Sequence, residues 1–171
     1  MSALSPDQAK VICHFFLETI KQEMEITKKV IRVVPDEKSS YKPDPKVMSA
    51  HELAWHIASS EIWFLDGILA GEFTMTEGGA APSTIAGIID TYDKAMRERM
   101  SKLAELPADK LAKIIPFFGM QFPAVVYLSF LTHHSAHHRG QLSTYLRPMG
   151  QKVPSIYGGS ADEPFQMDAK A

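Results

Sequence analysis

The sequence predicts an all-α protein built as a four-helix bundle. Four long stretches carry apolar residues at helical spacing, each opened by capping or proline signals and closed by Gly or Pro. No stretch sustains the apolar–polar alternation of a strand. The third observation is size. The chain has 171 residues, 45% of them hydrophobic, which suits one domain able to bury roughly 70% of its unfolded surface. We take residues 1–171 as one helical domain with a largely irregular tail over 151–171.

The first helix opens at Ser5-Pro6-Asp7-Gln8, where Ser5 caps, Pro6 suits the first helical position and Gln8 closes a capping box. Val11, Phe15, Ile20, Met24 and Ile31 then form its predicted buried stripe, which fades before Pro35. Residues 35–48 hold three prolines and read as a connection long enough for a crossover. The second helix repeats the capping box at Ser49 and Glu52, carries Leu53, Ile57, Ser60, Phe64 and Ile68 inward, and stops at Gly71.

Glu72 to Pro82 reads as a loop. Ser83 or Thr84 caps the third helix, whose stripe is Ile85, Ile88, Ile89, Tyr92, Met96, Met100 and Leu103, with Pro107 beyond its end. Ile114 to Phe122 is irregular and reads as a turn or a β-like excursion. The fourth helix starts near Pro123 and runs to Arg147, where Pro148 and Gly150 stop it. An interior glycine, Gly140, costs about 1 kcal/mol against Ala and is expected to serve close packing.

Composition excludes several classes. One Cys permits neither an internal disulfide nor a multi-cysteine metal site. Cys13, among Val11, Ile12, Phe15 and Phe16, reads as a buried small hydrophobe. A net charge of −2 argues against nucleic acid and against an anionic membrane surface. The N-terminus has no secretory pattern, and the most apolar run, Phe122 to Leu131, falls far short of the roughly 20 residues that span a bilayer. The expectation is a soluble cytoplasmic protein.

Seven His remain as the unusual supply of ligands, four of them within six residues: His133, His134, His137 and His138. Residues four apart share a helix face, offset by about 40°, so two pairs arise, 134 with 138 and 133 with 137. His134 and His138 continue the apolar stripe of Tyr127, Leu131, Leu142 and Tyr145, which makes them the candidates for an inward-facing metal site. Catalytic sites of this kind usually offer three protein ligands and an open position. His56, mid-helix beside Leu53 and Ile57, is the natural third. His51 lies five residues earlier on another face, and the spacing rules out the HExxH arrangement. His51 and His14 read as bystanders; His133 and His137 either flank the mouth or face solvent.

The run His134-Ser135-Ala136-His137-His138-Arg139-Gly140-Gln141-Leu142, ending at Leu146-Arg147-Pro148-Met149-Gly150, resembles the HxxxHRGQ signature of the DinB/YfiT-like metalloenzyme superfamily. Leu53-Ala54-Trp55-His56-Ile57 with Glu61 is similar to that family's other ligand segment, and Val153 to Glu163 is similar to a tail found in some members. The resemblance spans the region from Tyr41 to Glu163. It implies a four-helix bundle, often a homodimer, with His56, His134 and His138 around a divalent metal, zinc or nickel. Some relatives are transferases or isomerases that use low-molecular-weight thiols.

Three neutral imidazoles leave the full charge on such a metal, which lowers the pKa of bound water to about 7 and deprotonates a coordinating thiol. The leading expectation is a thiol-dependent S-transferase acting on small electrophiles, the thiol borrowed from a small-molecule cosubstrate because Cys13 is unsuited. The alternatives are a hydrolase with metal-activated water, or a non-enzymatic metal-binding or small-molecule-binding stress protein. Glu61, Arg139 and Gln141 are candidates to support the ligands. Arg139 either orients an anionic substrate or bridges to an acidic partner on a neighbouring helix. Trp55, Trp63, Tyr127 and Tyr157 are candidate pocket aromatics, although core packing is the commoner role for such residues.

Overall fold

The structure, a computed structural model, describes residues 4–75 and 79–164. It is a helical bundle of α1 (Pro6–Arg32), α2 (Ala50–Ala70), α3 (Ile85–Ala104) and α5 (Tyr127–Leu146), with a short α4 (Ala108–Ala112) and one hairpin, β1 (Ile114–Phe117) and β2 (Met120–Pro123). α2 packs on α3 and α5, while α1 packs on α3, α4 and α5. The order around the bundle is therefore α1, α3, α2, α5, and the consecutive helices α1 and α2 lie on a diagonal. The long first connection makes that crossing.

The helix starts follow their side chains. Ser5 and Gln8 form the capping box of α1, and Ser49 and Glu52 that of α2, with Ser49 N–H donating to Glu52 Oε2 at 2.7 Å. Of the two candidate caps for α3, Thr84 is the one used; its Oγ1 accepts from the Gly87 N–H at 3.0 Å. Gly71 ends α2 at φ 75°, a conformation that glycine adopts freely. The connection over 33–49 is pinned: Ala50 N–H donates to Tyr41 O, His51 N–H to Ser39 O, and the Ile85 N–H to Asp36 Oδ1.

The buried stripes of α2, α3 and α5 contain the expected apolar residues, except that Met100 on α3 is half-buried. α1 departs from expectation at its N-terminal end. Val11 and Phe15 are 71% and 66% exposed, and Ala9 and Cys13 take the inward positions instead. Helical spacing alone admits either face there; the smaller residues win because α1 lies close against α3 and α4.

The irregular stretch from Ile114 is an antiparallel hairpin paired Ile114 with Pro123 through Phe117 with Met120, and the short α4 precedes it. Its two-residue turn places Phe118 at φ 44° and Gly119 at φ 79°, the left-handed pair that a type I′ turn requires. A 3₁₀ turn, Ala124–Val126, separates the hairpin from α5, so that helix begins at Tyr127. Residues 151–164 carry no helix or strand, yet they are tied down: Lys29 Nζ bonds Ser155 and Glu163, and Asp162 Oδ2 accepts from the Val153 N–H and from Arg147. Among the described residues, no helix is long and apolar enough to cross a membrane.

Candidate metal centre

His134 and His138 sit one turn apart on α5, and His56 faces them from mid-α2, so the α2–α5 contact builds the site. His56 Nε2 is 3.2 Å from His134 Nε2 and 3.2 Å from His138 Nε2. All three ring nitrogens lie within 4.8 Å of one another. Each of the three is half-buried, whereas His133 and His137 are exposed. Among the described residues this is the one cluster of three or more potential ligand side chains.

The second ring nitrogen of each His fixes what the first can do. Gln141 donates through Nε2 to Tyr145 Oη at 3.3 Å, which turns its Oε1 toward His138 Nδ1 at 2.9 Å. An amide oxygen only accepts, so His138 carries its proton on Nδ1 and presents a bare Nε2 to the centre. Ser60 Oγ stands 3.4 Å from His56 Nδ1. His134 Nδ1 is buried without a partner among the described residues.

Electrostatics keep the rings neutral. Burial lowers the pKa of all three, and the neighbouring imidazoles lower those of His56 and His134 further; His134 falls to about 4. At His138 the Gln141 contact opposes burial, while nearby His137 adds to it. Neutral imidazoles are the form that ligates a metal.

The spacing fits a tetrahedral ion. A tetrahedral ion with metal–nitrogen bonds of about 2.0–2.1 Å has ligand–ligand edges of about 3.3 Å. The two 3.2 Å separations at His56 match that edge. One Nε2 proton on His56 can serve a hydrogen bond to only one of its two neighbours, whereas a shared cation satisfies all three lone pairs.

Comparison with known proteins decides the family. A family model described as the DinB family matches residues 7–168. The chain belongs to the DinB family. Two uncharacterized Bacillus subtilis (strain 168) proteins are similar to it: YrdA, 29% identical over 86% of this chain and 89% of YrdA, and YjoA, 25% identical over 86% of this chain and 94% of YjoA. A crystal structure of a DinB-like protein from Bacillus cereus ATCC 10987 superposes with a TM-score of 0.72 at 31% identity, over 83% of this chain and 95% of that one. The crystal structure of the DinB-like YjoA superposes at 0.67 with 24% identity, over 82% of this chain and 96% of that one, a likeness of fold.

The other candidates of this DinB-family chain lie apart from the three His. Glu61 is fully buried and accepts from Tyr92 Oη at 2.5 Å and from Thr27 Oγ1 at 3.3 Å. Burial raises its carboxyl above the usual range. Arg139 is also fully buried; it donates to Glu23 O at 2.9 Å, to Thr27 Oγ1 at 3.0 Å, and to the Glu23 carboxylate and Tyr157 hydroxyl. Arg139 thus bridges α5 to an acidic residue of α1. Gly140 is exposed, and a Cβ there would meet nothing within 4 Å, so it serves no close packing. His51 Nε2 faces Pro82 O at 2.8 Å, away from the centre, and His14 is exposed on α1.

A cavity of about 930 Å³ opens beside the centre, lined by His56 and His134 and including Trp55 and Trp63. Tyr127 and Tyr157 do not line it. Tyr127 is buried and donates to Ile115 O at 2.7 Å, and Tyr157 donates to Glu23 Oε2 at 2.7 Å. Ser60 and the hairpin residues Phe117 and Phe118 contribute to the site without having been expected to. The signal for Ser60 was present: it is a polar residue inside an apolar stripe, one turn after His56.

Proposed function

We propose that this protein is a metal-dependent S-transferase, with zinc or nickel held by His56, His134 and His138 and a borrowed small thiol as nucleophile. The observation that carries the metal reading is the pair of 3.2 Å contacts converging on His56 Nε2 between neutral imidazoles. A divalent ion bound there supplies Lewis-acid stabilisation of a thiolate at neutral pH.

The chain's own residues supply orientation. Gln141 fixes the His138 ring, and the neutral imidazoles leave the ion's charge undiminished. The state of Glu61 favours transfer over hydrolysis. A hydrolase needs a general base within reach of water at the centre, and Glu61 is instead engaged by Tyr92 and Thr27. A thiol brings its own nucleophile, and the protein's single thiol is unsuited: Cys13 is buried, and that burial raises its pKa.

In the proposed reaction the thiolate sulfur attacks an electrophilic carbon, a C–S bond forms, the leaving group departs with its electron pair, and the thiol proton passes to solvent. The test is turnover of a chlorodinitrobenzene with added cysteine by metal-loaded protein. The expected result is thioether formation above the buffer rate, lost in His138→Ala. Hydrolysis of a nitrophenyl ester without any thiol dependence would point to the hydrolase, and silence in both assays to a metal or small-molecule store.

A further inference from the structure

The cavity beside the three His carries an inference about the substrate, which rests on the metal reading above. We propose that it selects electrophiles with an uncharged, ring-sized apolar body placed next to the metal-binding head.

Volume and composition argue for this. A cavity of about 930 Å³ lies at the upper end of the roughly 300–1,000 Å³ that hold small organic ligands, far more than a thiol and a small polar head require. Five aromatic rings stand in its walls: Trp55, Trp63 and Phe64 from α2, and Phe117 and Phe118 from the hairpin. These rings are placed, not loose. Trp63 Nε1 donates to Thr74 O at 2.8 Å, and the Phe117 and Phe118 rings meet edge-on with centroids 4.7 Å apart. The Phe64 ring lies 5.9 Å from that of His134, so the aromatic wall continues to the centre itself.

Phe118 is the telling residue. It is 72% exposed and sits at φ 44°, where Asn, Asp or Gly would be expected. A bulky ring held in the left-handed region costs free energy, and such costs recur where a side chain serves a ligand. Here the strained turn presents a ring to the cavity mouth.

Charge argues the other half. Among the described residues, the charged side chains in the lining are Asp66 and Arg99. They hold each other two-pronged, Arg99 Nε to Asp66 Oδ1 at 2.7 Å and Nη2 to Oδ2 at 3.0 Å. An anionic substrate body would find the guanidinium already occupied, and a cationic one the carboxylate.

The test uses zinc-loaded full chain and three hydroxamates that share one metal-binding head: acetohydroxamate, benzohydroxamate and carboxybenzohydroxamate. Binding is read by calorimetry, and metal content is measured on the same samples. Benzohydroxamate is expected to bind at least about ten-fold tighter than acetohydroxamate, with the carboxylated ring losing most of that gain. Phe118→Asn keeps the turn conformation and removes the ring; it should reduce the ring preference several-fold at unchanged metal content. Asp66→Asn frees Arg99 and should improve binding of the carboxylated probe. Equal affinities for the first two probes on metal-loaded protein would overturn this inference and leave the metal reading standing. Protein that binds neither zinc nor nickel would overturn both.

Discussion

His56 and His138 meet Nε2 to Nε2 at 3.2 Å, one from α2 and one from α5, with the His138 proton committed to Gln141 on the far side of the ring. The contact faces a lone pair toward a nitrogen that His134 approaches equally closely. Gln141 is therefore a positioning residue: it fixes both the tautomer and the ring plane of His138. Removing such a partner typically weakens metal affinity 10–100-fold. Gln141→Leu is expected to fall in about that range in a competitive chelator titration, at unchanged helical circular dichroism. Affinity equal to that of the unaltered protein would remove Gln141 from the account.

A second polar cluster stabilises the bundle without entering the chemistry. Thr27, Glu61, Tyr92 and Arg139 are buried together, with Glu23 and Tyr157 closing the network from α1 and the tail. Deleting one member strands the others without water, at about 3–5 kcal/mol for a buried charge. Glu61→Ala should lower unfolding free energy by about 3 kcal/mol in urea, while the folded fraction keeps its metal. Metal loss from fully folded Glu61→Ala would place Glu61 in the site after all.

Two glycines make opposite predictions. A Cβ on Gly67 would lie 2.3 Å from the Phe73 ring, so Gly67→Ala forces the ring or the helix to move, at about 1–3 kcal/mol. Gly140 faces open space within α5, so Gly140→Ala should stabilise by up to about 1 kcal/mol through helix propensity. Thermal melts of the two variants should shift in opposite directions.

Acid stability should carry the mark of Asp93. Hydrogen bonds from Arg97 and Lys28 lower its carboxyl to about 2. The folded state therefore binds this proton less readily than the unfolded chain, whose carboxyl titrates near 3.9. The contribution is complete above that value and is lost as pH falls toward about 2. Solvent screening at this partly exposed pair holds it to about 1 kcal/mol. Asp93→Asn should flatten the stability profile between those two values, and an unchanged slope would contradict the pairing.

Much of the fold and centre is legible in the chain because both rest on helical periodicity. Ser5, Ser49 and Gly71 mark ends by local chemistry, and His134 and His138 fall in an apolar stripe that has one inward solution. His56 lies between Leu53 and Ile57, which share its buried surroundings. What escapes is decided by distant partners. Val11 and Phe15 fit a stripe as well as Ala9 and Cys13 do, and the close approach of α3 and α4 selects the smaller pair. Glu61 and Arg139 are charged residues whose partners on α1 and α3 are more than 30 residues away in sequence. Phe118 occupies a turn position whose usual residues are Asn, Asp and Gly, so the stretch reads as a turn or a β-like excursion without fixing the hairpin.

Three imidazoles holding one ion are the core of the proposed centre. Elemental analysis of protein purified without chelator tests it most directly. It should find about one divalent zinc or nickel ion per chain, lost in His56→Ala, His134→Ala and His138→Ala and kept in His133→Ala and His137→Ala. Metal-free protein, or metal lost with His133 and kept without His134, would contradict it.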